Sequence, residues 1–376
     1  MAKVLVTAHL GRHFKIFGQY DYKVLLSLGH EVHIAANFNE EIDNFEDTNV
    51  IKHQIDFCRN PFDIKNLVAM KQLEKVINQN KFEIIHTQSP SGGAITRLAA
   101  RNARKTGTKV IYTPHGFHFY KGAPKKNWLI YFQIEKLLGS ITDLAITIND
   151  EDYNLAKNKL LIKDVRKIHG VGIDLNKFQP QTIMKKNRLR EEYGYKENDF
   201  ILIYAGELSY RKNQELVLRS LYDLKEAIPN IKLLLAGTGK LMTKYKEIIK
   251  ELKLENHVDL LGYRSDVHNL MMLSDIAIST SRQEGLPVNV MEAMATGLPL
   301  VVTNCRGNRD LVDDNINGLV VGYHNHESFS WAVKEIHKSK NLREKFSINS
   351  LKQVEKYSIE KVSLEMTKIY QSSLGS

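Results

Sequence analysis

The chain has 376 residues, 43% of them hydrophobic and 26% charged, with eight prolines and two cysteines, Cys58 and Cys305, far apart. That length suits two domains of about 150–200 residues rather than one core. The separated cysteines fit thiols of a reducing compartment and exclude a disulfide framework, and no apolar run reaches the roughly 18 residues of a spanning helix.

The net charge is +10, and residues 1–180 carry +7 of it. A basic first half invites an anionic partner: a lipid surface, a phosphorylated acceptor or a nucleic acid. The basic residues are not interleaved with stacking aromatics, which argues against a nucleic-acid groove. The chain opens Met-Ala-Lys and then a short apolar run, with a charged, glycine-containing stretch at 11–15. A secretory signal would put about 7–15 apolar residues there, so a cytoplasmic protein is expected.

In chain order, β-rich apolar runs are expected as strands at 4–8, 32–36, 83–87, 109–113 and 143–148. Helical patterns fall between and after them at about 19–28, 64–78, 94–105, 127–138 and 152–159. The alternation restarts near residue 183, with strands at 200–205, 231–236, 258–261, 276–279, 300–303 and 319–321. Its helices are expected at 214–228, 242–252, 288–295 and 329–338, and 359–374 closes the chain as a helix. Such alternation is the mark of parallel βαβ units, and nearly continuous runs such as Val110-Ile111-Tyr112 suit strands covered on both faces. The fold class is therefore α/β, two doubly wound parallel sheets in tandem. The predicted division is 1–170, a linker at 171–182 rich in Gly and Pro at its ends, 183–357, and a terminal segment 358–376. Open α/β sheets bind ligands beyond the carboxyl ends of their strands. Two of them joined by a short linker are expected to face those ends across a cleft, with a nucleotide on one side and a second substrate on the other.

The most specific motif is Glu284-Gly285-Leu286-Pro287-Val-Asn-Val-Met-Glu292, followed by Ala-Met-Ala-Thr-Gly297-Leu-Pro299. Pro287 suits the first turn of a helix and Gly297 the position just past its end. The N–H groups from about Gly285 to Val288 form an anion site, and the two carboxylates can accept hydrogen bonds from sugar hydroxyls. Taken singly, either Glu reads equally as a dipole-complementing or solvated helix residue. A second group is Tyr204-Ala-Gly206-Glu207-Leu-Ser-Tyr-Arg211-Lys212-Asn213, where a strand ends at a glycine and adjacent cations precede a helix. Arg211 and Lys212 could neutralise a departing diphosphate. A third is Tyr112-Thr-Pro-His115-Gly116-Phe117-His118-Phe119-Tyr120-Lys121, an imidazole at a strand end. Gly11 follows the first strand. Gly92-Gly93 open a helix after the third strand and read either as shaping the acceptor side or as a tight turn.

These motifs resemble the family 4 retaining glycosyltransferases of the GT-B fold, and the resemblance runs over essentially the whole chain. It implies two Rossmann-like domains, an acceptor-side first domain, a nucleotide-sugar-binding second domain, and a last helix that crosses back to the first. Glu284 and Glu292 match the family's paired glutamates, which implies contacts with donor-sugar hydroxyls for Glu284 and with the ribose for Glu292. Lys212 matches the phosphate-gripping lysine. Glu207 stands where many members have an arginine, so Arg211 is the second cation. His115 matches the histidine near the reacting face of the donor sugar, and Gly11 and Gly206 match glycines near the diphosphate. The string from His115 to Lys121 with Gly122-Ala-Pro124 resembles the branch that builds capsular and extracellular polysaccharides. The resemblance implies hexosyl transfer with retention from a nucleotide diphosphate sugar, UDP-linked in that branch, to a saccharide or lipid-linked hydroxyl acceptor, with no cofactor and no metal.

Other signals are weaker. Gly237-Thr-Gly239 and Gly170-Val-Gly172 lack the third glycine of a dinucleotide fingerprint. Asp150-Glu-Asp152 reads as a capped helix start rather than a metal motif, and no His/Cys cluster suggests zinc. Lys121, Lys125 and Lys126 precede Trp128-Leu-Ile-Tyr-Phe132, a stretch suited to peripheral contact with an anionic membrane or to packing in its own core. The rival functions are a GT-B epimerase or phosphorylase, and a non-enzymatic nucleotide-sugar sensor or scaffold. Oligomeric state has no signal in the sequence.

Overall fold

The computed structural model describes residues 1–18, 20–39, 47–58, 60–61 and 63–375. The chain forms two compact units, Met1–Gly172 with Ile359–Ser376, and Ile173–Ser358. Both are Rossmann-like units, each a parallel sheet with helices in the connections.

The first unit holds seven strands: β1 (Lys3–Leu10), β2 (Glu31–Asn37), β3 (Ile51–Gln54), β4 (Ile84–Gln88), β5 (Lys109–Thr113), β6 (Leu144–Thr147) and β7 (Asp164–Lys167). They lie in the order β3-β2-β1-β4-β5-β6-β7, all parallel. The second unit holds β8 (Phe200–Ala205), β9 (Ile231–Ala236), β10 (Val258–Gly262), β11 (Ile276–Ser279), β12 (Leu300–Thr303) and β13 (Gly318–Val321), in the order β10-β9-β8-β11-β12-β13. The direction of winding reverses between β1 and β4 and again between β8 and β11. Side chains just beyond the carboxyl ends of those two strand pairs are therefore the ones a ligand can reach.

Central strands β4, β8, β11 and β12 are buried at every position; β8, β11 and β12 accordingly read as nearly continuous apolar runs, while β4 buries the polar His86, Thr87 and Gln88. Strands β3 (Ile-Lys-His-Gln) and β7 (Asp-Val-Arg-Lys) are absent from the sequence expectation. They are the two sheet edges, mostly exposed and polar, and polar side chains on an edge suppress pairing with other chains. The 15-residue helix Lys340–Val354 was also not expected. It buries only Phe346, Ser350 and Val354, a single thin stripe one of whose members is polar. Helix Tyr22–Ser27 is shorter than the expected 19–28, and residue 19 lies outside the described residues.

In the second unit, Val217, Leu221 and Leu224 of helix Gln214–Ala227 pack with Phe329, Val333 and Ile336 of helix His326–Lys338 in one core. Each such side chain, fully buried, contributes about 1.5–3 kcal/mol. The last helix, Ile359–Leu374, belongs to the first unit and buries Val362, Met366, Ile369 and Tyr370, a stripe at helical spacing. Asn149 caps helix Asp150–Lys159 by accepting from the Asp152 N–H at 2.8 Å, so the acidic triplet forms a helix start. Among the described residues no helix is long and apolar enough to cross a membrane.

Candidate active site

In the second unit the site begins where β8 ends. Gly206 follows the strand, and a Cβ there would lie 3.3 Å from Lys212 Cε; glycine thus lets the lysine stem lie across the strand end. Gly237 and Gly239 have the same kind of role. A Cβ on Gly237 would sit 2.0 Å from the Gly206 carbonyl oxygen and one on Gly239 2.2 Å from that of Leu208. This glycine pair closes the β9 loop against the β8 loop. Asn213 turns the chain into helix Gln214–Ala227 in the left-handed region (φ +54°), its amide donating to the Thr280 and Tyr323 carbonyls.

Across from this loop, the segment after β11 delivers Glu284. Its Oε1 accepts from Lys212 Nζ at 2.7 Å and from Ser281 Oγ at 2.6 Å, and its Oε2 accepts from Arg211 Nη1 at 2.8 Å. The Tyr204 hydroxyl braces both sides, donating to the Lys212 carbonyl at 2.6 Å and lying 3.0 Å from Ser281 Oγ. Arg306 Nε donates to the Glu284 carbonyl at 2.8 Å. Gly307, at φ +82°, brings the β12 loop so near that a Cβ would lie 2.6 Å from the Gly285 carbonyl oxygen.

Glu284 and Lys212 are both buried. Burial works to raise the Glu284 carboxyl, but Lys212 and Arg211 outweigh it and hold the group ionised, below its ordinary range. With two hydrogen bonds on Oε1 and one on Oε2, a single lone pair of Oε2 is left for another donor. Lys212 has three N–H donors and, among the described residues, uses one.

Helix Val288–Thr296 starts where expected, with Pro287 as its cap residue rather than in its first turn and Gly297 ending it at φ +75°. Among the described residues, the backbone N–H groups of Gly285, Leu286, Val288 and Asn289 donate to no other backbone or side-chain group. Glu292, one turn in, is half-buried and its carboxylate has no hydrogen-bond partner among the described residues. Burial pushes its pKa up to about 7, against the pull of Lys177 and Lys212. The sequence motif treats the two glutamates alike. The fold makes Glu284 a counter-ion and leaves Glu292 open.

In the first unit, His115 follows β5 with φ +57°, and Gly116 relaxes the same turn. Its Nε2 lies 2.7 Å from Gln88 Oε1 and 3.2 Å from the Tyr20 hydroxyl, which itself donates to Gln88 Oε1 at 2.8 Å. The Gln88 amide nitrogen faces Asp21 Oδ2 at 3.4 Å, which orients the oxygen toward His115. Nε2 of His115 therefore carries the proton, and Nδ1 keeps its lone pair. Burial, then His13 and His86, hold the His115 pKa well below the usual range. The His86 ring lies 2.7 Å from the Tyr370 hydroxyl and 2.8 Å from Thr113 Oγ1, and burial lowers its pKa to about 3. Both rings are neutral at pH 7.

Gly11 has an ordinary helical φ of −57°, and a Cβ on it would strike Phe38 at 2.4 Å. Gly92 and Gly93 do not form a tight turn. They sit in the first turn of helix Pro90–Ala99, Gly92 against the His9 backbone and Gly93 against the Tyr112 ring, where a Cβ would lie 2.6 Å away. Ser281 and Tyr20 belong to no motif read from the sequence. Among the described residues no group of three or more His, Cys, Asp or Glu side chains could hold a metal ion.

A family model for glycosyltransferase family 4 matches residues 22–176, and one for group 1 glycosyl transferases matches 185–353. EpsD of Bacillus subtilis (strain 168), named a glycosyltransferase, is 39% identical over 369 residues, 98% of this chain and 96% of that one. The chain belongs to glycosyltransferase family 4. A second family relative, the UDP-Gal:α-D-GlcNAc-diphosphoundecaprenol α-1,3-galactosyltransferase of Escherichia coli, is 32% identical over 314 residues and 80% of each chain. Among solved structures, Anabaena Alr3699/HepE in complex with UDP and glucose superposes with a TM-score of 0.81 at 16% identity, covering 99% of this chain and all of that one. At that identity the likeness speaks for the GT-B fold. As a family 4 member the chain is a hexosyl-transferring enzyme, and Lys212, Glu284 and Glu292 occupy the switch point of its second unit.

Proposed function

We propose that this glycosyltransferase moves a hexosyl unit from a UDP-linked sugar to a hydroxyl of a lipid-linked saccharide, with retention of configuration and no metal ion, in the assembly of a cell-surface polysaccharide. The observation that carries the reading is Lys212: a buried ammonium with two unused donors, held by Glu284 beside a helix end whose N–H groups are also unused. A diphosphate is the group that satisfies both. Lys212 and Arg211 then oppose the negative charge that grows on the leaving phosphate, the task a metal ion performs elsewhere.

In this reading the remaining lone pair of Glu284 accepts a donor-sugar hydroxyl and Glu292 accepts from the ribose. Gly206, Gly285, Leu286 and Pro287 bring backbone near the phosphates, and Gly11 does so from the first unit. The acceptor hydroxyl attacks the anomeric carbon on the face from which the diphosphate leaves. The C–O bond to phosphate breaks as the new glycosidic bond forms, and a phosphate oxygen takes the acceptor proton. His115, neutral and fixed by Gln88, lies at the reacting face, while Gly92 and Gly93 set the helix on the acceptor side. The named substrates of the E. coli relative, UDP-galactose and a diphosphoundecaprenol-linked sugar, support the donor and acceptor classes. The likeness of the His115–Lys121 string to the branch that builds capsular and extracellular polysaccharides supports the polysaccharide setting. Exposed Leu129, Ile130 and Leu137, with Lys121, Lys125 and Lys126 nearby in sequence, support peripheral contact with an anionic membrane.

A thermal-shift panel of UDP-, GDP- and ADP-sugars should show the largest rise with a UDP-sugar, and no rise with any of them would overturn the donor assignment. Transfer in excess chelator should persist, giving a product whose anomeric coupling matches the donor's. Inversion, or loss of activity on chelation, contradicts the mechanism. An epimerase would instead release altered donor without acceptor, and a phosphorylase would require inorganic phosphate.

A further inference from the structure

The first unit contains a pocket of about 420 Å³ that none of the roles above uses. Small-ligand sites span about 300–1,000 Å³. It lies between helices Pro90–Ala99 and Tyr131–Gly139, and its walls are mainly carbon, from Ile95, Leu98, Phe117, Phe119, Ile134 and Leu138. The charged residue in the wall is already engaged. Glu135 accepts from the Tyr112 hydroxyl at 3.0 Å and faces the buried Arg97 guanidinium at 2.9 Å. Ser91, His118 and Tyr131 complete the polar part of the lining, and against walls that are mainly carbon a hydrocarbon chain loses less than a saccharide.

The pocket is oriented with respect to the chemistry. One end is formed by Phe117 and His118, two and three residues beyond His115, and by Pro90 where β4 gives way to its helix. From Pro90 to Leu98 it follows the helix for about 12 Å. At the other end, apolar surface continues outward: Leu98 is 43% exposed, and Leu137, next to the wall residue Leu138, is 70% exposed. Exposed Lys121, Lys125 and Lys126 lie on the segment that joins His118 to the second helix. Along the chain the lysines thus fall between His115 and the helix that forms the second wall.

We infer that this pocket takes the first isoprenoid units of a polyprenyl-diphosphate-linked acceptor, with the diphosphate toward Lys121–Lys126 and the sugar toward His115. The inference rests on the lipid-linked acceptor proposed above. A cavity between two helices suits one chain rather than a bilayer face, which would need a flat or convex patch.

The test fills the pocket. Titration of geranylgeranyl diphosphate, in saturating UDP, should bind the wild type at least tenfold more tightly than Ala94→Phe, with inorganic diphosphate unaffected by the substitution. Ile134→Trp provides a second filled pocket should Ala94→Phe fail to fold. Equal binding to wild type and folded filled variants overturns the inference. Transfer kinetics then separate it from the function it rests on. Expected is a KM about tenfold lower for a polyprenyl-diphosphate saccharide than for the same saccharide on a two-carbon diphosphate, a difference lost in Ala94→Phe with kcat unchanged. Isoprenoid binding without transfer to any lipid-linked saccharide sinks the proposed acceptor and leaves the pocket standing. Transfer with equal KM for both acceptors sinks the pocket and leaves the acceptor standing.

Discussion

The two units end their central strands in the same topological place and in opposite chemistry. Beyond β8 and β11, charge is gathered: a buried carboxylate between a buried lysine and an exposed arginine, with a serine and a tyrosine bracing it. Beyond β1 and β4, the gathered groups are an amide, a phenol and imidazoles held neutral by burial, with one buried carboxylate, Asp21, facing Gln88 and His13. The fold says where a ligand can bind, and only the side chains say what kind. A site that grips a diphosphate needs fixed positive charge that the empty protein can tolerate, and Glu284 supplies that tolerance. A site beside a developing cationic sugar is better served by groups that bring no positive charge.

The sharpest way to break the comparison is to remove the cation. Lys212→Met should lower kcat by about 10²–10³, the effect of deleting one preorganised group that meets transition-state charge. It should also destabilise the fold by about 3–5 kcal/mol, because Glu284 is left buried with its nearest partner gone. Adding Glu284→Gln to that variant should recover most of the denaturation midpoint and none of the activity. If the double variant regains turnover, Lys212 serves stability alone and the charged end has no catalytic meaning.

How much of this was legible in the residues follows the same physics. Strands β4, β8, β11 and β12 announce themselves because both faces are covered, whereas β3 and β7 carry the polar residues that protect an edge and so look like loop. The Glu284–Glu292 spacing and Lys212 are local and could be read. Their unequal fates could not, since what makes Glu284 a counter-ion is Arg211, 73 positions away, with Lys212, and what leaves Glu292 open is that no described residue bonds its carboxylate. Gln88 and Tyr20, 68 positions apart, meet only because β1 and β4 are adjacent in the sheet.

A smaller perturbation tests whether the donor loop must be held where it is. Gly307→Ala places a methyl 2.6 Å from the Gly285 carbonyl in a backbone conformation that disfavours it, at a cost of about 1–3 kcal/mol. It should weaken donor binding by displacing the helix start. Gly297→Ala, also at positive φ but at the far end of that helix against the Ser347 hydroxyl, should lower the melting temperature with donor affinity intact. Equal effects on affinity would mean that the loop position is immaterial.

At the neutral end, Gln88→Leu should lower kcat about tenfold without changing donor affinity, since it frees the His115 ring but leaves the second unit untouched. Gln88→Glu is more telling. It sets a carboxylate against Nε2, raises the His115 pKa, and should make activity fall with acid through a pH where the wild type is level. A pH profile identical to the wild type would show that His115 need not be neutral.

The mildest effect belongs to Glu292, the one group that does not fit either pattern, a carboxylate at the charged end with no cation bonded to it. Its pKa is raised by burial from 4.5 to about 7. The folded chain therefore holds a proton that the unfolded chain has released between those values, and stability from this group is complete below about pH 4.5 and lost as pH rises through about 7. Without donor, Glu292→Gln should melt with the wild type at pH 4.5 and a few degrees above it at pH 8. With donor the order of preference reverses. Ionised Glu292 is the stronger acceptor for ribose hydroxyls, so wild-type donor affinity should climb through pH 7 while that of Glu292→Gln stays flat. A variant whose affinity climbs in parallel with the wild type would assign the climb to another group and leave Glu292 without a part in binding.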